Sequence, residues 1–84
     1  MKLAELYKVQ AEVRQAIALD KQHDGTVVRI VGAEVFGNKG EYSLVIKKAA
    51  VDDLTFSKLK AIADKHNLLI INADDYLVFA KVIN

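Results

Sequence analysis

The chain has 84 residues, 52% of them hydrophobic, with 12 Lys and Arg against 11 Asp and Glu for a net charge of +1. That length suits one domain over residues 1–84 and is too short for two, and the apolar fraction supports a core without covalent staples. The absence of Cys excludes disulfides, thiolate ligands and thiol nucleophiles, while the near-neutral charge gives no general electrostatic case for nucleic acid or an anionic membrane.

Residues 1–19 carry charges throughout, which fits neither the apolar core of a signal peptide nor a spanning helix. No other run approaches spanning length, so the expected setting is cytoplasmic with no membrane contact. With no Pro and four Gly, the chain reads as ordered almost end to end.

Residues 2–20 read as an amphipathic helix. Leu3, Leu6, Val9, Val13, Ala16 and Ile17 recur at spacings of three and four and make one apolar stripe. Lys8 and Glu12 stand four apart on the polar side, where they are expected to pair. Lys21-Gln22-His23-Asp24-Gly25 forms the exit loop.

Residues 26–50 read as a hairpin, with strands near 26–36 and 41–49, around Gly37-Asn38-Lys39-Gly40. A two-residue Asn38-Lys39 turn sets Val35 against Tyr42, Ala33 against Leu44, Val31 against Ile46, Arg29 against Lys48 and Val27 against Ala50. A three-residue loop would pair Glu34 with Leu44 and spoil the apolar pattern, so the two-residue register is preferred. Its opposite face carries Val28, Ile30 and Val45 as an apolar cluster.

A second helix is expected near 55–66, with Thr55 as N-cap and a staple between Leu54 and Leu59. Phe56, Leu59, Ile62, Ala63 and His66 make its inward stripe. Asn67 stands where a left-handed C-cap belongs, with Leu68 folding back on the helix.

The last hairpin, with strands near 68–72 and 76–82, organises the rest. β-branched and aromatic residues flank Asn72-Ala73-Asp74-Asp75. A turn at Ala73-Asp74 sets Ile71 against Tyr76, Leu69 against Val78, Ile70 against Leu77 and Leu68 against Phe79. Both faces are then apolar, which suits central strands covered on two sides.

The order helix, hairpin, helix, hairpin predicts an α+β two-layer sandwich. A four-stranded antiparallel sheet carries both helices on one face. A faint internal echo runs from Ala16-Ile17-Ala18, Asp20-Lys21 and His23 to Ala61-Ile62-Ala63, Asp64-Lys65 and His66, as a duplication would leave.

Catalytic chemistry finds little footing. His66 in a last helical turn suits the helix dipole and has no second ligand at the helical spacing of zinc motifs, and His23 beside Asp24, a candidate base oriented by a carboxylate, reads better as a solvent-exposed loop histidine. Asp52-Asp53 precedes a helix, while Asp74-Asp75 and Asp24 are turn formers, so no metal site is expected. Ser43, Ser57, Thr26 and Thr55 lack a nucleophile-elbow setting. The Gly37–Gly40 loop joins strand to strand, with no helix N-terminus behind it to receive a phosphate. The expectation is a non-enzyme without cofactor.

Two helices cover only one face of a four-stranded sheet. The other face is expected to expose Val28, Ile30 and Val45, with Leu69, Ile71, Tyr76 and Val78 or else Leu68, Ile70, Leu77 and Phe79. The leading expectation is a protein-interaction module that forms a homodimer, or meets another protein, through that face. The alternative is a single-stranded nucleic-acid binder. It would use Arg29, Lys39, Lys47, Lys48 and Lys81, with Phe36, Tyr42, Tyr76 and Phe79 interleaved for stacking.

Overall fold

The N-terminal stripe folds as α1, Leu3–Ala16, and buries Leu6, Val9 and Val13. Ile17, just past its end, is buried too, whereas Leu3 at its start is exposed. The computed structural model describes residues 3–17, 21, 27–32 and 42–81. Within them follow β1 (Val28–Val31), β2 (Ser43–Lys47), a 3-10 turn (Lys48–Ala50), α2 (Asp53–Lys65), β3 (Leu68–Ala73) and β4 (Tyr76–Lys81). The expected α+β class holds, with two helices and a four-stranded antiparallel sheet, and the 3-10 turn is an addition to the expected elements. The strand order is β1-β2-β4-β3, so the two hairpins meet through their second strands.

One face of the sheet makes the core. Val28 on β1, Leu44 and Ile46 on β2, Leu77 and Phe79 on β4 and Leu68 on β3 form one buried cluster. Leu6, Val9 and Val13 of α1 and Leu59 and Ala63 of α2 complete it. Partly buried Ile30, Ile62 and Ile70 pack at its margin. Phe56, expected in the inward stripe of α2, is instead exposed.

The first hairpin corrects the expected register. Ile46 faces Val28 rather than Val31, and Leu44 faces Ile30 rather than Ala33, a displacement of three residues. An odd displacement moves every side chain of β1 to the other face. It turns Val28 and Ile30 onto the helices and puts Arg29 on the open side, which spares a guanidinium from burial. The Gly37–Gly40 turn and the expected pairs of Ala33 and Val35 lie outside the described residues.

The second hairpin also shifts, but harmlessly. Ala73 pairs with Tyr76, Ile71 with Val78 and Ile70 with Phe79, so the two-residue turn is Asp74-Asp75 rather than Ala73-Asp74. Asp74 takes the positive φ of 50° that such a turn demands, and Asp tolerates it better than Ala. The displacement is two residues, an even number, so the residues expected to share a face still share it.

α2 begins one turn earlier than expected. Asp52, not Thr55, is the N-cap, and its carboxylate accepts from the Thr55 backbone N–H at 2.7 Å. That hydrogen bond, foremost, holds the Asp52 carboxyl below its ordinary range. At the other end Asn67 adopts the expected left-handed conformation, with φ of 57°. Replacing Asp52 with Ala should therefore lower thermal stability at neutral pH, since an N–H of the first turn loses its acceptor. An unchanged melting curve would show that water replaces the cap fully.

The helices are tied at their polar margin. Glu12 of α1 does not depend on Lys8. One of its carboxylate oxygens accepts from Lys65 Nζ and the other meets His66 Nε2. These hydrogen bonds, that from Lys65 first, hold the Glu12 carboxyl below its usual range. A folded-state pKa depressed below the unfolded value adds stability above the ordinary carboxylate range, near pH ~4.3. That stability is lost as pH falls through the folded value. Glu12→Gln should thus melt lower than the parent at pH 7, and the gap should close toward pH 3. An equal gap at both pH values in thermal circular dichroism would remove this account of the contact.

A two-fold relation runs through the sheet. β2 and β4 are antiparallel and Val45 pairs with Val78. A rotation about the sheet normal at that pair exchanges the hairpins and superposes Leu44-Val45-Ile46 on Leu77-Val78-Phe79. Each hairpin follows its own helix. The order helix plus hairpin thus occurs twice about this axis, and part of the helix-end echo lies outside the described residues.

Candidate interaction surface

The face opposite the helices is built by register. Across its middle run Arg29, Val45, Val78 and Ile71; beside them lie Val31, Ser43, Ala80 and Leu69, and on the other side Lys47, Tyr76 and Ala73. Its centre is closed: Val45 is 2% exposed and Val78 0%. Arg29 and Tyr76 stand on strands either side of β2, the strands roughly 9.5 Å apart and the residues offset by two positions along them. The Arg29 guanidinium nevertheless lies 5.9 Å from the centre of the Tyr76 ring. To get there it must lean across β2, beside Val45. A cation–π contact thus joins Arg29 to Tyr76 on this face.

Apolar exposure on this face collects at one margin. Leu69 is 52% exposed and Ile71 43%, both on β3, which is an edge strand. β3 reads LLIINA, without charge, Pro or Gly. Edge strands ordinarily carry such residues as protection against pairing with another chain. The opposite edge, β1, carries Arg29.

The outer backbone of β3 is also available. The Asp75 carbonyl accepts from Lys48 N–H at 2.9 Å and so points toward β2. Tyr76 next to it therefore points toward β3, and Ala73, Ile71 and Leu69 bond inward to β4. The N–H and C=O groups of Leu68, Ile70 and Asn72 turn outward. Beside them, between β3 and α2, runs a groove of about 320 Å³ lined by Phe56, Lys60, Ala63, Asp64, Leu68 and Ile70, with Leu69 at its lip.

The expected contact residues divide accordingly. Leu69, Ile71, Tyr76, Val45 and Val78 share the open face, but the two valines are buried within it. Val28 and Ile30 belong to the helix side and leave the candidate surface, because of the odd register shift. Of the basic set, Arg29 and Lys47 lie on the open face around Tyr76. Lys48 sits in the 3-10 turn, and Lys81 ends β4 on the helix side, opposite Leu68. Lys39 and Phe36 lie outside the described residues. Phe79 is wholly buried and cannot stack on a base, while Tyr42 is exposed just before β2.

What sequence reading passed over is the edge itself. Its signal was present as six consecutive residues without charge, but only the strand order shows that they lie outermost. The acidic doublets have local work: Asp52 caps α2 and Asp74-Asp75 make the turn. No helix among the described residues is long and apolar enough to cross a membrane. The chain matches no protein-family model, no curated protein and no solved structure.

Proposed function

We propose that the chain is a non-catalytic protein-interaction module that self-associates as a homodimer through the β3 margin of its sheet. The observation that carries this reading is the exposure of Leu69 and Ile71 on an uncharged edge strand. Full burial of such a side chain contributes ~1.5–3 kcal/mol, so covering the exposed halves of both offers a few kcal/mol to association. The net charge of +1 opposes it little. Light scattering over a range of concentrations should give a mass above that of one chain. Ile71→Lys should return the mass to that of a folded monomer, and a parent monomeric at high concentration would overturn the proposal.

Single-stranded nucleic acid is the second reading, favoured by Arg29 and Lys47 beside Tyr76 on the open face. It expects charge reversal at Arg29, Lys47 and Lys48 to weaken oligonucleotide binding and flatten its salt dependence. The leading reading expects no oligonucleotide binding even at low salt.

A further inference from the structure

We infer that the occupant of the β3 edge is the β3 strand of a second copy, added antiparallel about a two-fold axis at Ile70, so that two sheets join into one of eight strands. This rests on the reading that the chain self-associates, and names the surface, register and partner. Three observations converge on it.

The first is backbone valence. Leu68, Ile70 and Asn72 present outward N–H and C=O groups, as derived above from the Asp75 carbonyl and the β3–β4 register. An antiparallel strand centred on Ile70 meets them with the same groups of its own. Ile70 bonds reciprocally to its counterpart, and Leu68 to Asn72 of the other copy, in both directions.

The second is side-chain pairing. Faces are preserved only when paired residue numbers sum to an even value, which excludes full end-to-end overlap of the strand. Centring on Ile70 sets Leu69 against Ile71 of the other copy on the open face, twice over, and Ile70 against itself on the helix side. Centring on Ile71 would set Ile70 against Asn72 and Leu69 against Ala73. Apolar cross-strand pairs favour the first. It also covers both of the large apolar side chains that β3 exposes.

The third is charge. The groove beside the edge is lined on α2 by Phe56, Lys60, Ala63 and Asp64. A two-fold axis runs the two α2 helices antiparallel, so Lys60 of each copy comes toward Asp64 of the other. A surface that carries its own complement in this way is what an isologous contact requires.

The natural absence of Cys makes the axis directly testable. Hydrogen-bonded antiparallel partners stand ~5.5 Å apart between Cα atoms, within disulfide range. Ile70→Cys, treated with diamide as oxidant, should form a covalent dimer, with diamide taking up the two thiol hydrogens. Val31→Cys on the opposite edge should remain a single chain under the same conditions. Lys60→Asp should weaken self-association several-fold, and adding Asp64→Lys should restore it, since the double variant rebuilds both pairs with signs exchanged. Lys60 and Asp64 are exposed, so these variants should keep the parent circular dichroism. A parent that self-associates, and is returned to monomer by Ile71→Lys, while Ile70→Cys stays uncrosslinked and Lys60→Asp changes nothing would mean that the β3 margin meets its partner otherwise than strand to strand at Ile70, and would overturn this inference alone. A parent monomeric at every concentration would overturn both it and the reading beneath it.

Discussion

Phe79→Ala is expected to remove a large part of the stability of the chain. Phe79 is the largest wholly buried side chain among the described residues, on a central strand, paired with Leu44 on one side and Ile70 on the other. It belongs to the cluster that joins Leu6, Val9 and Val13 of α1 to Leu59 of α2. Truncation of a buried Phe typically costs about 3–5 kcal/mol, from lost transfer energy and the cavity left behind. Stability near 0.05–0.15 kcal/mol per residue gives a chain of this length roughly 4–13 kcal/mol in all. The loss is therefore a large part of the whole. Urea titration followed by circular dichroism should show the midpoint fall by the equivalent of about 3–5 kcal/mol. A variant that loses less than about 1 kcal/mol would mean that the site collapses around the smaller side chain, and that Phe79 is not the centre of the core.

The two hairpins show what patterning can and cannot read. In the last hairpin both faces are apolar, so period-two alternation sorted its residues into two sets without saying which set meets the helices, and a misplaced turn moved the register by an even number that left the sets intact. Distinguishing Ala73-Asp74 from Asp74-Asp75 needed the backbone: Asp74, not Ala73, bears the positive φ. In the first hairpin the error was odd, and it exchanged Val28 and Ile30 with Arg29. Pairing Arg29 with Lys48 should have counted against that register, because it turned a guanidinium toward the helices. Helix caps show the same limit. Both Asp52 and Thr55 are good N-caps by type, and they stand three apart as cap and first-turn donor do, so sequence alone left the roles interchangeable. The edge strand was invisible for a different reason. Strand order depends on which hairpin partners meet at the centre, a non-local choice that no window of sequence contains.

The same geometry alters what a charged probe on the open face should do. Val45 and Val78 were expected to form part of an exposed patch, yet they are buried, whereas Leu69 and Ile71 are exposed. Val78→Asp should therefore destabilise the fold itself rather than merely prevent association. Aspartate is too short to lift its carboxylate past Tyr76 and its neighbours into water, and an unpaired buried charge costs several kcal/mol. Added to the lost valine, that penalty rivals the whole stability of the chain. Ile71→Asp, on the adjacent strand and in direct register with Val78, should by contrast change monomer stability by about 0.5–1 kcal/mol or less, because its side chain already reaches solvent. Denaturation of the two variants at a concentration too low for self-association separates the cases. A well-folded Val78→Asp monomer with a parent-like midpoint would mean that the centre of the open face is accessible after all, and would return Val45 and Val78 to the contact surface.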